Sequence, residues 1–224
     1  DFCKEANRAG LQIELHAIGD KAFDQACRAI KAALDDYPRE DHRHGIIHDC
    51  LPTPEGIQIC RDYHIQMPMQ SAFIGWKQEP DDYLEHILGH DRLEKLNPIK
   101  TFRDNDIMVS FGSDAPCTTP DPIAWMDRAV NNDNAGQAVS VQDALRMCTY
   151  NGAWAAFDEQ ERGSLEAGKI ADMAVLSENP YTVPKDKLSG LRVERLYLSG
   201  KSYESCREGI LPMMLRGLTS RNKA

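Results

Sequence analysis

The sequence predicts an α/β fold in which parallel strands alternate with helices. Short apolar segments, residues 11–16, 45–50 and 107–114, each end on a polar residue and precede a helical stretch. The spacing from His16 to His48 is close to the roughly 30 residues of one strand–helix–strand unit, a pattern typical of parallel sheets with outer helices. Four such units would form half of a TIM-like (β/α)8 barrel, whose reactive residues lie at the carboxyl ends of its strands.

The first 130 residues contain four of these units. The predicted strands are the apolar segments, residues 11–16, 45–50, 65–70 and 107–114. The predicted helices are the stretches with helical periodicity, residues 2–9, 21–34, about 54–63 and about 121–130. Gly10 is placed to end the first helix, and Asp20 is placed to cap the second. The connection after residue 70 is less regular than the others.

The chain changes character after Ser140. Residues 141–157 predict one helix, whereas residues 163–176 and 191–204 predict strands joined by glycine turns, as in a small β-sandwich. We therefore divide the chain into a half-barrel (1–160), sandwich strands (161–204) and a tail (205–224).

Composition excludes several functional classes. The chain has 224 residues, is 42% apolar and carries a net charge of −9, so it has no basic surface for nucleic acid or anionic lipid. No apolar run reaches the length of a spanning helix, and the first residues do not resemble a signal peptide. The cysteines are scattered and form no CxxC pair, which favours reduced core thiols in a cytoplasmic protein.

Three strand ends carry possible metal ligands, His16, His48 and Asp114. A buried carboxylate at a strand end needs a compensating partner, and a catalytic zinc takes three nitrogen or oxygen ligands while leaving one position open for water. Spacing alone leaves an alternative open for each residue. A histidine at a strand end is more often a hydrogen-bonded rim residue, and an aspartate before Ala-Pro is more often a turn residue.

The other histidines have simpler interpretations. His42 and His44 lie in the charged segment DHRH and are expected to be solvated. The remaining three have no matched partner and are expected on the surface, His64, His86 and His90. The chain has no glycine-rich phosphate loop, no GxSxG and no cysteine in a nucleophile context.

Several motifs together resemble the amidohydrolase superfamily, and within it the YtcJ-like metal-dependent hydrolases. The motifs are HAIGDKAFD, RHGIIH, DRLEKLNPIKTF, VSFGSDAPCTTPDP and ALRMCTYNGAWAAF followed by GSLEAGKIADMAVL. The resemblance implies a barrel with a metal site plus a small β-sandwich. It implies that His16 and His48 are the ligands after strands five and six, and that Asp114, after strand eight, binds the metal and takes a proton from its water. It matches Gln70 to a substrate-facing residue after strand seven.

Two departures from the family pattern matter. Relatives often carry Arg and Glu where this sequence has Gly45 and Ile47. The family's His-x-His pair after strand one has no counterpart here, so the resemblance implies a C-terminal fragment covering strands five to eight.

The function implied is hydrolysis of amide or other non-peptide C–N bonds in small molecules, with a divalent metal, most simply zinc, as cofactor. A deaminase, an ester hydrolase and a non-catalytic half-barrel binding module remain open alternatives. The chain by itself is expected to be inactive, and to associate with itself as a dimer or with the missing half.

Overall fold

The computed structural model describes residues 1–203 and shows an α/β fold with the predicted alternation. The helices are α1 to α9, Phe2–Arg8, Asp20–Asp36, Pro54–Asp62, Asp81–Leu88, His90–Leu93, Ile99–Asp104, Pro122–Val130, Val141–Cys148 and Tyr150–Ala155. The strands are β1 to β7, Glu14–Ala17, Gly45–His48, Met67–Met69, Val109–Phe111, Met173–Leu176, Val193–Leu198 and Lys201–Tyr203. Within residues 1–203 no helix is long and apolar enough to cross a membrane.

The first four strands run parallel in the order β1-β2-β3-β4. Strands β1 and β2 pair with Glu14 opposite Gly45, and β3 and β4 pair with Met67 opposite Val109. The two pairs are joined where Gln66 N donates to His44 O at 2.9 Å and Gln66 O accepts from Ile46 N at 3.0 Å. Parallel pairing confirms the prediction from the strand–helix spacing, and it brings the carboxyl ends of all four strands to one edge.

The hydrophobic core lies between this sheet and the helices that follow its strands. Phe23 and Ile30 of α2 are fully buried, as are Ile46 on β2 and Phe102 on α6. Helix α3 approaches α2 closely at Gly56, where a β-carbon would overlap the Phe23 ring. Close packing in the core therefore fixes the positions of the strand ends.

Side-chain N-caps mark the starts of α3 and α7, whereas the start of α2 differs by one residue from the prediction. Thr53 caps α3 through Gly56 N at 3.0 Å, and Asp121 caps α7 through Ile123 N at 3.1 Å. The prediction that Asp20 is an N-cap was wrong by one residue, because Gly19 is the N-cap of α2 and Asp20 is its first residue. The Asp20 carboxylate instead pairs with Arg92 at 2.9 Å.

The predicted helix over residues 141–157 is divided in two. Thr149 (φ −128°, ψ −89°) separates α8 from α9, and its hydroxyl donates to Leu145 O at 2.8 Å. The break lets Asn151 of α9 turn inward, where its side-chain amide donates to Val109 O at 2.7 Å.

The C-terminal strands form an antiparallel sheet in the order β5-β6-β7. Ser199 and Gly200 both have positive φ, as a tight hairpin between β6 and β7 requires. This sheet is mostly exposed, but the turn of 3-10 helix at Lys185–Gly190 packs against α7 and buries Leu188 in the main core. The predicted tail, residues 205–224, lies outside the described residues.

Residues 42–44 of the DHRH segment are buried, contrary to the prediction for its two histidines, whereas Asp41 is exposed. His42 is 3% exposed and His44 is fully buried. Arg43 lies between the Trp154 and Phe157 rings, with its guanidinium carbon 4.7 and 4.1 Å from their centroids. Segments far away in sequence cover this stretch, which local charge could not indicate.

The prediction of core thiols holds for part of the cysteine set. Cys27 and Cys60 are buried between α2 and α3, with their sulfur atoms 3.5 Å apart. Cys117 is exposed in the loop after β4, so the prediction was wrong for that residue. Cys206 lies outside the described residues.

Candidate metal centre

Two of the three predicted ligands lie side by side. His16 is in β1 and His48 is the last residue of β2, and their ring centroids are 4.6 Å apart in an edge-to-face arrangement. Imidazole nitrogens are good ligands for zinc and similar divalent metals. The arrangement brings two nitrogen donors from separate strands to one edge of the sheet.

The backbone of His48 accounts for this contact. In the sheet His48 is opposite Ala17, and regular alternation would place its side chain on the face opposite that of His16. His48 has φ of 82°, outside the range of a regular strand, and this rotation turns the ring toward His16. Such a conformation is strained for a residue with a β-carbon, and it is tolerated here within well-packed surroundings.

Gln70 holds the His48 ring in place. His48 Nδ1 donates to Gln70 Oε1 at 2.6 Å, so Nε2 is the ring nitrogen available to bind a metal. Phe73 stacks on the same ring with centroids 6.0 Å apart. Gln70 is only 7% exposed, and the contact observed for it is with a candidate ligand. Its predicted role toward substrate stays a prediction.

Asp114 lies at the same end of the sheet, in the loop that follows β4. It is exposed and has φ of 52°, and its carbonyl accepts from Cys117 N at 2.8 Å. Desolvation and the nearby Asp114 charge raise the pKa of the Cys117 thiol. In residues 1–203 no three His, Cys, Asp or Glu side chains form a group that could hold a metal. The structure therefore brings His16 and His48 together without Asp114.

Glu14 is a candidate residue that sequence reasoning missed. It lies two residues before His16 on β1, and its Oε1 accepts from Gln66 Nε2 at 3.1 Å. A β-carbon at Gly45 would lie 2.9 Å from Glu14 Cδ, so the glycine leaves the space that this carboxylate occupies. Desolvation raises the pKa of Glu14 to about 7, and the Gln66 hydrogen bond opposes that shift. The strand period of two was the signal that could have identified it.

Asp49, immediately after His48, is a second carboxyl group that the sequence did not single out. It is fully buried, and neither carboxyl oxygen has a hydrogen-bond partner in the described part of the chain. Desolvation, followed by the charges of Cys27 and Glu14, raises its pKa well above the usual range.

The family model of the amidohydrolase family matches residues 1–203, and the chain belongs to this family. YtcJ of Bacillus subtilis (strain 168), which carries the name amidohydrolase, is 26% identical over 209 residues, or 88% of this chain and 38% of that protein. N-substituted formamide deformylase of Arthrobacter pascens is 29% identical over 216 residues, or 89% of this chain and 38% of that protein.

A solved structure shares the fold. An uncharacterised metal-dependent hydrolase from Pyrococcus furiosus superposes with a TM-score of 0.69 and 26% identity, over 80% of this chain and 37% of that chain. The chain thus spans 37–38% of the length of these three relatives.

Proposed function

We propose that this chain belongs to a metal-dependent hydrolase that cleaves amide or other non-peptide C–N bonds in small molecules. The observation that carries the proposal is the pairing of His16 and His48 at the carboxyl ends of adjacent parallel strands, with the Nε2 of His48 left available. The names of the relatives support a hydrolase, and one of them is a formamide deformylase.

The donor set fits a divalent metal in part. His16 and His48 would supply two nitrogen ligands. Zinc is the metal that best suits two imidazole nitrogens together with one carboxylate oxygen. We propose Asp114 as the third ligand. In the described residues Asp114 does not form a three-residue metal-binding group with the two histidines. When bound, the metal would supply a Lewis acid that polarises a carbonyl and acidifies a water molecule.

The residues of this chain have separate roles in the proposed reaction. Asp114, exposed at the end of β4, takes a proton from the attacking water and passes it to the leaving nitrogen. Gln70 fixes the tautomer and direction of His48, as outer-shell partners of ligating histidines do. The Phe73 ring against His48 keeps that side of the site apolar.

We further propose that β1 to β4 correspond to strands five to eight of a TIM-like barrel and that β5 to β7 belong to its β-sandwich. The chain spans 38% of the length of each of the two relatives YtcJ and N-substituted formamide deformylase. On this proposal, the remaining ligands and half of the substrate loops come from sequence outside the 224 residues, and the 224-residue chain alone is inactive.

Replacement of Asp114 by Asn in the full natural protein tests the proposal. We expect turnover of amide substrates to fall by about 100-fold or more, because a general base contributes on the order of 10² to 10⁴ in rate. Circular dichroism should show an unchanged fold. Metal content is measured by elemental analysis. Product analysis distinguishes an amide hydrolase, which releases an acid and an amine, from a deaminase, which releases ammonia.

Asp106→Asn is the matched control. Asp106 precedes β4 at the opposite end of the same strand, is exposed, and has φ of 58°, close to that of Asp114. The control should retain the wild-type rate. Full activity in the Asp114→Asn protein would show that the assigned role is wrong.

A further inference from the structure

Two polar side chains, Glu14 and Gln66, form one layer on the face of the parallel sheet that carries His16. Glu14 lies two residues before His16, roughly 6.6 Å nearer the amino end of β1. It is opposite Gly45, and Gly45 is bridged in turn to Gln66, just before β3. Residues paired across neighbouring strands point to the same face, and Gly45 contributes no side chain. Ile46, on the opposite face, is buried in the core under the helices.

The polar atoms of this layer are only partly satisfied. Glu14 Oε1 accepts from Gln66 Nε2 at 3.1 Å and from Gln12 Nε2 at 3.3 Å. Gln66 is 1% exposed, yet its Oε1 has no hydrogen-bond partner in the described part of the chain. Glu14 Oε2 also has no protein donor within residues 1–203. The layer therefore holds more acceptors than donors.

No cation among the described residues balances the charge of Glu14. Its hydrogen bonds come from neutral amides. Arg43 lies close by, since its carbonyl oxygen accepts from Gln66 Nε2 at 2.8 Å. The Arg43 guanidinium, however, pairs with Asp41 and Glu159, at 2.7 Å each. The positive charge nearest in the sequence is thus committed elsewhere.

A closed barrel would enclose this layer. In a TIM-like barrel each interior layer holds four side chains contributed by alternate strands. With β1 and β3 as strands five and seven, Glu14 and Gln66 are two members of one layer, and strands one and three supply the other two. An unpaired carboxylate and an unpaired amide oxygen are both costly to bury in such an interior.

We propose that Glu14 pairs with a lysine or arginine side chain that strand one or strand three of the full natural protein carries into this layer. The cation donates to Glu14 Oε2, and a further N–H of the same group donates to Gln66 Oε1, since either side chain has donors enough for both. The layer lies below His16, whereas substrates of such barrels bind at the carboxyl ends of the strands, which favours a protein side chain over a substrate cation. The proposal depends on the proposed barrel arrangement but not on the proposed reaction.

Glu14→Gln tests the charge, because glutamine keeps the shape of the side chain and an acceptor oxygen. In the full natural protein we expect the equilibrium constant for unfolding in urea to rise by on the order of 100-fold or more, because the cation is left buried without its partner. Glu40→Gln is the matched control. Glu40 is likewise exposed among residues 1–203, and its replacement should change this constant by no more than about threefold.

A crystal structure of the full natural protein gives an independent readout, even if Glu14→Gln does not fold. It should show a lysine Nζ or an arginine guanidinium within about 4 Å of the Glu14 carboxylate. Replacing that cation by a neutral residue together with Glu14→Gln should restore most of the lost stability.

Three results would overturn the proposal: neutral groups alone around Glu14, a substrate cation in place of the protein side chain, or an unchanged unfolding equilibrium in Glu14→Gln. The ion pair in a protein that hydrolyses no amide would refute the proposed reaction alone. Amide hydrolysis by a protein whose Glu14 lacks a cation would refute only the ion pair.

Discussion

At the residue scale, His44 shows how burial changes the chemistry of a side chain. His44 Nδ1 accepts from Ile13 N at 3.1 Å, and its Nε2 lies 3.0 Å from Asn7 Oδ1, so the ring joins α1 to the residues that immediately precede β1 and β2. The neighbouring His42 ring is 4.4 Å away between centroids. Desolvation, then the charges of His42 and Arg39, lower the pKa of His44 to about 3. The folded protein therefore keeps this ring neutral.

We expect the free energy of unfolding to fall as pH decreases from about 6.5 toward 3. In this window the unfolded chain binds a proton at His44 that the folded chain does not, so acid favours the unfolded state. Above pH 6.5 the contribution of His44 is constant. One proton corresponds to a slope of at most about 1.4 kcal/mol per pH unit. Urea unfolding between pH 3 and 8 measures it.

His44→Gln should reduce this slope, whereas His86→Gln, at an exposed position on α4, should leave it unchanged. If His44→Gln does not fold, NMR gives the same information from the wild-type chain, by following the His44 ring resonances as the pH is changed. A ring that titrates near pH 6.5 in the folded protein would contradict the expectation.

At the element scale, two glycines within helices differ in the space around them. A β-carbon at Gly56 in α3 would lie 2.7 Å from Phe23 Cδ1, and Phe23 is fully buried in α2. A β-carbon at Gly152 in α9 would meet nothing within 4 Å. Neither glycine has a positive φ, so alanine fits the backbone at both positions. Packing alone distinguishes the two positions.

We predict that Gly56→Ala lowers the free energy of unfolding by about 1–3 kcal/mol, the usual cost of overpacking a core. Gly152→Ala is the matched control and should raise it by about 0.5–1 kcal/mol, since alanine loses less backbone entropy in a helix. Chemical denaturation of both variants compares them. Equal effects would show that the contact between α2 and α3 is looser than described.

At the scale of the whole molecule, the parallel sheet has two open sides within the described residues. Strand β1 pairs only with β2, and β4 pairs only with β3. Asn151 blocks part of the β4 edge through its hydrogen bond to Val109 O. Beside β1, Leu11 is 59% exposed and Ile18 is 50% exposed. Open strand edges with apolar neighbours tend to recruit further strands.

We predict that the 224-residue chain associates with itself, most simply as a two-fold dimer that covers the open β1 edge. Light scattering on a size-exclusion column should give a mass about twice the chain's 25.2 kDa at micromolar concentration. A folded monomer of 25.2 kDa at that concentration would show that the edges are satisfied within one chain.

Local sequence patterns determined the alternation of strands and helices, the parallel pairing and the placement of His16, His48 and Asp114 at strand ends. These features depend on residues two to four positions apart, or on one unit length, and such distances can be read along the chain. The N-cap predicted from the same short-range rules, Asp20, was off by one residue, because Gly19 is the N-cap of α2.

Only the tertiary structure decided which of these side chains meet and which are buried. The rotation at His48 turns its ring toward His16, Gly45 leaves space for Glu14, and Asp114 stays outside that pair. His42 and His44 are buried because α1, β1 and the end of α3 cover them from positions far along the chain. Burial and side-chain direction arise from long-range packing, and a charged local sequence carries no record of the segments that cover it.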